Sequence, residues 1–175
     1  MLLLDKESAL AAVALEKTRL PPAAEGCVPC AFARHGYGAE FVIGGDADFV
    51  VVLDRFGYRE GHLLVAPRRH IERSSALAED EYLALQRWVH RAMRAVDAQF
   101  EPPRIFVAEL GSAEPLATGT SFPHVHIHVV PIHMRGEEAR PAQVFSWTSG
   151  IVAYRPEEAV ALVAALRARL ASAGC

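Results

Sequence analysis

The sequence predicts an α+β fold, a mainly antiparallel sheet carrying one long helix. Three observations point that way: short β-prone runs follow one another from Phe41 to Ala66, one long stretch then repeats its apolar residues at helical spacing, and further β-prone runs follow it. Consecutive strands with one long helix between them belong to that class.

Taken in order, Lys6 to about Arg19 is rich in helix formers in a loosely amphipathic pattern, and Pro21 and Pro22 stop it. Glu25 to Gly38 is rich in Gly, Pro and Cys and reads as an irregular loop that needs something to hold it. Phe41 to Gly44 and Phe49 to Leu53 are strands separated by Gly45-Asp46, which predicts a hairpin. His62 to Ala66 is a further strand, closed by Pro67. Ser74 or Ser75 can cap the long helix, whose apolar positions Leu77, Tyr82, Leu85, Trp88, Val89, Met93 and Val96 run to about Phe100. Pro102 and Pro103 end it. Ile105 to Ala108 is a strand, Gly111 to Gly119 a loop, and a histidine-rich strand follows. After Pro131 the chain is less regular until Pro156 opens a last helix, Glu157 to about Ala171.

A chain of 175 residues, 51% hydrophobic, is expected to form one domain with a proper core and no need of disulfide staples. The 18 basic and 21 acidic residues give a formal charge of -3, which argues against wrapping a long polyphosphate backbone; any nucleotide handled is expected to be small. Neither a spanning helix nor a secretory signal is visible, so the chain reads as cytoplasmic and apart from membranes.

From Pro123 to Pro131 polar and apolar residues alternate at the period of a strand. His124, His126 and His128 therefore share one face, roughly 7 Å apart, while Val125, Ile127 and Val129 enter the core. A solvent-facing strand is the bland alternative, yet three of the eight histidines fall within these five residues. Metal binding is the other alternative, since Cys27 and Cys30 form a C-x-x-C with two thiolates at knuckle spacing. A tetrahedral structural zinc then needs two more ligands, from among His70, His62 and His124, and at least one member of the row stays free for chemistry. A redox pair is the competing reading of the cysteines, but the expected strand-to-helix context is missing.

The pattern H-φ-H-φ-H-φ-φ (φ apolar) from His124 to Val130 closely resembles the signature of the histidine triad superfamily of nucleotide hydrolases and transferases. Leu53-Asp54, Gly61-His62-Leu63-Leu64-Val65, Pro67-Arg68-Arg69-His70-Ile71, the long helix and Gly119-Thr120-Ser121 extend the resemblance over about residues 25 to 135. It implies that His126 forms a covalent nucleotidyl intermediate while His124 and His128 position it and the phosphate. It further implies that Asp54 binds ribose hydroxyls, that Ser121 contacts phosphate, and that His62 approaches the site. Members with a C-x-x-C hold a structural zinc, here through Cys27, Cys30, His70 and His124, and no organic cofactor is implied. Homodimers that pair the long helices and an edge strand are common among such proteins.

Two positions depart from the common pattern. Glu109 stands where many relatives carry Asn, and Thr120 where Gln often precedes the small hydroxyl residue. A carboxylate facing a phosphate repels it unless the acid is protonated or carries protons. His128 favours a hydrolase over uridylyltransferase-like relatives, which resemble H-x-H-x-Q. The leading expectation is a phosphoramidase-like nucleotide hydrolase cleaving a nucleoside monophosphate linkage, phosphoramidate or phosphoanhydride, by way of His126. The alternatives are a dinucleoside polyphosphate hydrolase or nucleotidyl transferase, and a zinc-stabilised nucleotide-binding protein without turnover, which Glu109 favours. His90 and His133 read as surface residues, His35 as a reserve zinc ligand, Trp88 as core, and Trp147 as lying near the substrate or a partner.

Overall fold

The computed structural model describes residues 1–110 and 123–173. In chain order the elements are β1 (Leu2–Leu4), α1 (Lys6–Lys17), α2 (Val28–Arg34), β2 (Val42–Gly45), β3 (Phe49–Leu53), β4 (Phe56–Gly57), β5 (Leu63–Pro67), α3 (Glu79–Phe100), β6 (Arg104–Glu109), β7 (Ile127–Ile132), α4 (Pro141–Val144), β8 (Ile151–Ala153) and α5 (Pro156–Ser172). The main sheet has five strands in the order β2-β3-β5-β7-β6, and every pairing is antiparallel. The α+β class read from the sequence is therefore the observed one. No described helix is long and apolar enough to cross a membrane.

The β2–β3 hairpin forms where expected, and its turn has a local cause. Asp46 Oδ1 accepts from the backbone N–H groups of Asp48 and Phe49 at 2.9 and 2.8 Å, a side chain standing in for a backbone turn. Gly45 sits at φ +147, where an added Cβ would lie 2.2 Å from the Phe49 carbonyl oxygen, so only glycine fits. The other carboxylate oxygen of Asp46 accepts from the Trp88 indole at 2.8 Å, which ties the hairpin to α3.

Three expectations need correction. The segment from Glu25 to Gly38 is not wholly irregular, because α2 fills its centre. Pro29 lies in the first turn of α2, where its missing N–H costs nothing, and Cys27 is the N-cap. Ser74 and Ser75 do not cap α3; they belong to a 3-10 turn at Ser74–Ala76. The helix starts at Glu79, and the Glu81 carboxylate reaches back to accept from the Ala78 N–H at 2.9 Å, so an acid in the first turn satisfies the end group. Finally, β1, β4 and β8 form a second, three-stranded sheet that the sequence did not announce, since its strands are two or three residues long.

Alternation along β3 divides the core. Val51 and Leu53 face α3 and α5, packing with Leu85, Val89, Val96 and Leu166, whereas Val50 and Val52 face the other way, towards Ala33 of α2. The main core thus draws side chains from Phe41 through Leu170. Leu85 is fully buried in it. We expect Leu85→Ala to lower the unfolding free energy by about 2–5 kcal/mol in denaturant titration. Val160→Ala, at a position 58% exposed, should stay within about 0.5 kcal/mol of the parent. Equal effects would contradict this placement of the core.

Candidate active site and metal centre

Of the histidine row only His128 lies in the β7 ladder, opposite Leu64 on β5 and Ala108 on β6. His124 and His126 occupy the extended lead-in, which is anchored by the Val125 N–H donating to the Ile71 carbonyl at 2.7 Å. Val125, Ile127 and Val129 enter the core as the alternation predicts, and all three histidines are buried. The imidazoles then divide between two tasks. His124 turns to the cysteines, while the His126 and His128 rings lie 4.8 Å apart beside a cleft.

Backbone partners fix the proton on each ring, because a carbonyl oxygen only accepts and an amide N–H only donates. His124 Nε2 lies 2.9 Å from the Pro67 carbonyl, so it carries the proton and Nδ1 offers its lone pair to the cysteines. His126 Nδ1 lies 2.7 Å from the His124 carbonyl, so its Nε2 holds a free lone pair. His62 Nδ1 accepts from the Tyr58 N–H at 3.2 Å, so the proton of its 3.1 Å contact with Asp54 Oδ2 sits on the carboxyl, and His62 Nε2–H donates to His128 Nδ1 at 2.9 Å. His128 then presents a buried Nε2–H beside the Leu110 carbonyl.

Burial keeps these rings neutral. Desolvation, helped by the neighbouring His126, depresses His62 to about 3. It also holds His128 well below 6.5 and lowers His126, although the His124 carbonyl and the Glu109 charge oppose the shift at His126. Asp54 moves in the opposite direction, to about 6, because burial disfavours its charged form. Its Oδ2 is 3.1 Å from His62 Nδ1 and its Oδ1 accepts from the Phe56 N–H at 3.0 Å. Tyr58 stacks on His62 with ring centroids 5.1 Å apart, and Phe145 meets Tyr58 edge-on, so aromatic carbon shields the His62–His128 pair.

Cys27, Cys30, His70 and His124 bring four donor atoms within 4.8 Å of one another. The sulfur-to-Nδ1 separations are 3.4–3.6 Å. Tetrahedral zinc with ordinary Zn–S and Zn–N bonds would place such donors about 3.6 Å apart. The donor set thus fits zinc in both chemistry and spacing. The Arg34 guanidinium donates to Cys30 Sγ at 2.9 Å, and burial pushes the Cys27 thiol up to about 12, the reverse of a reactive redox thiol. His62 is remote from this cluster, so of the ligands left open by spacing it is His70 and His124 that meet the thiolates.

The cleft is lined on the sheet side by Val50, Val52, Leu64 and Ala66, on the helical side by Val13, Val28, Pro29 and Phe32, and it reaches Asp54, His126 and His128. Trp147 also lines it. Glu109 lies at the end of β6, exposed, with Oε1 accepting from the Ser74 N–H at 3.3 Å. Thr120 and Ser121 lie outside the described residues. His90 and His133 are exposed, as is His35, which stands outside the donor cluster. Trp88 is buried in the core.

Sequence reasoning missed Arg34, Tyr58, and the cleft residues Glu16 and Tyr37. Arg34 was findable once α2 is seen as a helix, since it follows Cys30 by four residues and shares its face. The others come from segments remote in sequence, and no local pattern marks them.

An α+β domain with a histidine row on a cleft and a Cys2His2 cluster behind it defines a narrow class of protein. The HIT domain matches residues 38–134, and the chain belongs to the HIT family. It is 27% identical over 149 residues to Protein hit of Bacillus subtilis, covering 85% of this chain and 97% of that protein. It is 32% identical over 81 residues to AP-4-A phosphorylase of Mycobacterium tuberculosis, covering 46% of this chain and 40% of that one. Among solved structures, a Zn-bound histidine triad family protein from Mycobacterium smegmatis superposes with TM-score 0.61 at 24% identity, covering 85% of this chain and 96% of its own. A hypothetical histidine triad nucleotide-binding protein from Sulfolobus tokodaii gives 0.65 at 17%, covering 83% and 93%. At these identities the structural likeness shows the fold.

The buried neutral histidines make stability depend on pH. His62 and His128 take up protons near 6.5 when unfolded and far lower when folded, so their contribution is full above 6.5 and is lost as pH falls towards 3. Asp54, raised from 3.8 to about 6, opposes them, contributing below 3.8 and losing its share as pH rises through 6. Two histidines outweigh one carboxyl. We expect the denaturation midpoint to fall from pH 7 to pH 5, and His62→Asn to flatten that slope because it removes one such group without touching the metal cluster. A midpoint constant over this range would contradict the assignment.

Proposed function

We propose that this chain is a phosphoramidase-like nucleotide hydrolase that cleaves a nucleoside monophosphate linkage, phosphoramidate or phosphoanhydride, through a nucleotidyl-histidine intermediate on His126. The observation that carries this reading is the 2.7 Å bond from His126 Nδ1–H to the His124 carbonyl, which aims a neutral, lone-pair-bearing Nε2 towards the cleft. Nε2 attacks phosphorus, and the bond to the leaving group breaks with its electron pair. His128 Nε2–H hydrogen-bonds the departing atom, and a leaving amine or alcohol takes its proton from solvent, because a neutral imidazole that gave one up would become an anion. Water then attacks phosphorus and releases its proton to solvent, and the P–N bond to His126 breaks with its electron pair returning to Nε2, so both rings regain their starting states. Hydrogen-bond donors around the equatorial oxygens stabilise the charge that gathers there in the transition state.

In the same reading Asp54 receives ribose hydroxyls, with His62 and His128 beside it, and the apolar walls of the cleft take the base. Thr120 and Ser121 are assigned to the phosphate by the family resemblance alone, and Glu109 borders the site as an acid whose charge favours protonated His126. Cys27, Cys30, His70 and His124 hold zinc in a structural role, joining α2 to the lead-in of β7. Ligand binding there is also folding energy. Dinucleoside polyphosphate cleavage or nucleotidyl transfer is a second reading, favoured by the likeness to AP-4-A phosphorylase. We also propose one domain, a cytoplasmic location and a homodimer. β6 is an edge strand with Val107 42% exposed, and Tyr82 and Leu83 stand out from α3.

His126→Ala should keep its fold and zinc yet lose turnover of a nucleoside phosphoramidate by several orders of magnitude. Rapid acid-free quenching with labelled substrate should trap an adduct on the parent protein alone, while Cys30→Ala should lose zinc in metal analysis. An adduct on another residue, or full activity in His126→Ala, would sink the mechanism; a folded, zinc-free parent under reducing conditions would sink the metal assignment. For the assembly, sedimentation at tens of micromolar should give a dimer, and a monodisperse monomer would refute it.

A further inference from the structure

The polar part of the cleft wall contains a group of side chains that the chemistry at His126 does not use. Glu16 of α1 lines the cleft and is only 12% exposed, although it is a carboxylate on a surface helix. Its Oε1 accepts from both the Tyr37 hydroxyl and the Arg55 guanidinium, and Tyr37 and Arg55 line the same cleft. The second oxygen, Oε2, has the exposed Arg19 guanidinium at 3.8 Å, beyond hydrogen-bond distance. Glu16 and Tyr37 precede the span matched to the HIT domain, which begins at residue 38. Glu16 and Tyr37 therefore reach this wall from outside the matched span, and Arg55 from within it.

The three side chains have fixed hydrogen-bonding senses. Arg55 can only donate. Tyr37 commits its proton to Glu16, and burial followed by that carboxylate raises its pKa to about 12, so its oxygen faces other partners as an acceptor. Glu16 Oε2 is also an acceptor. Glu16, Tyr37 and Arg55 thus present one donor beside two acceptors in a mainly apolar cleft that Lys17 also lines. Guanine displays the complementary edge, with O6 accepting and N1–H and N2–H donating side by side. Adenine has N6–H and then a bare N1 lone pair, which would face an acceptor oxygen. Hypoxanthine keeps O6 and N1–H but lacks the exocyclic amine.

We propose that Glu16, Tyr37 and Arg55 read the Watson–Crick edge of the bound nucleobase and select guanine over adenine. This specificity rests on the nucleotide reading given above, and deepens it by naming the base. Neither Glu16 nor Tyr37 touches the reacting phosphorus, so both act on affinity for the base and leave the chemical step alone. A site whose acceptors are fixed in advance discriminates strongly, because the wrong edge leaves buried groups without partners.

The test is calorimetric titration of the parent chain with GMP, IMP and AMP at pH 7. These monophosphates are products of the proposed reaction and are not consumed. We expect GMP to bind at least about tenfold more tightly than AMP, with IMP between them. Glu16→Gln should bring GMP to the AMP level while AMP binding is unchanged, and Tyr37→Phe should narrow the gap between GMP and IMP. Should Glu16→Gln fail to fold, the three nucleotides on the parent protein still decide the matter. AMP binding as tightly as GMP would overturn base selection and leave the nucleotide reading standing. No binding of any of the three at millimolar concentration would overturn the nucleotide reading, and base selection with it.

Discussion

The site depends on a chain of imidazole-to-carbonyl hydrogen bonds. Pro67, at the end of β5, accepts from His124, and the His124 carbonyl accepts from His126. Each bond removes the tautomeric freedom of one ring, so one nitrogen of His124 faces two thiolates and one nitrogen of His126 faces a cleft. Both acceptors are main-chain atoms placed by the β5–β7 pairing and by the Val125–Ile71 bond. Sheet geometry thereby sets the protonation pattern of the site, which side-chain contacts alone would leave free to exchange.

Burial does the rest of the electrostatic work. Four imidazoles, His62, His124, His126 and His128, lie close together and none is more than 7% exposed, so desolvation opposes charging any of them, and neighbouring rings add to it at His62, His124 and His128. A row of neutral rings supplies lone pairs and N–H donors together at neutral pH. Asp54 and Glu109 are the acids that border this row, and they differ in surroundings. Asp54 is packed against His62 and raised to about 6, while Glu109 is exposed and acts on His126 through its charge.

The small second sheet organises the periphery around that centre. β8 pairs with both β1 and β4, so the chain returns after α4 to a fixed position next to the loop that carries Asp54. Phe145 is thereby set against Tyr58 and Trp147 against the cleft, with Trp147 held at φ +63, a conformation uncommon for a bulky side chain. From the other end α1 adds Val13 and Glu16 to the cleft wall. Segments on both sides of the HIT-matched span thus complete a cleft whose histidines lie within that span.

Local physics made much of this readable in advance. Period-two alternation put Val125, Ile127 and Val129 in the core and the histidines on the other side, and Gly45-Asp46 marked a hairpin because its turn is satisfied by Asp46 itself. The C-x-x-C spacing paired two thiols as candidate donors, since one helical turn keeps them adjacent. Helical spacing found α3 but misplaced its start, because a carboxylate at Glu81 competes with serine for the free end groups and the hydrophobic pattern is silent about which wins. The short strands β1, β4 and β8 escaped notice for a related reason: two or three residues carry no periodicity, and they exist only because each finds a partner far along the chain. Tertiary structure alone decided that His70 and His124, rather than His62, meet the cysteines, that His62 serves His128, and that Glu16 stands over the cleft with Tyr37 and Arg55. Each of these is a meeting of residues distant in sequence, fixed by strand register and helix packing, and the direction of a side chain across such a gap is not encoded in its neighbours.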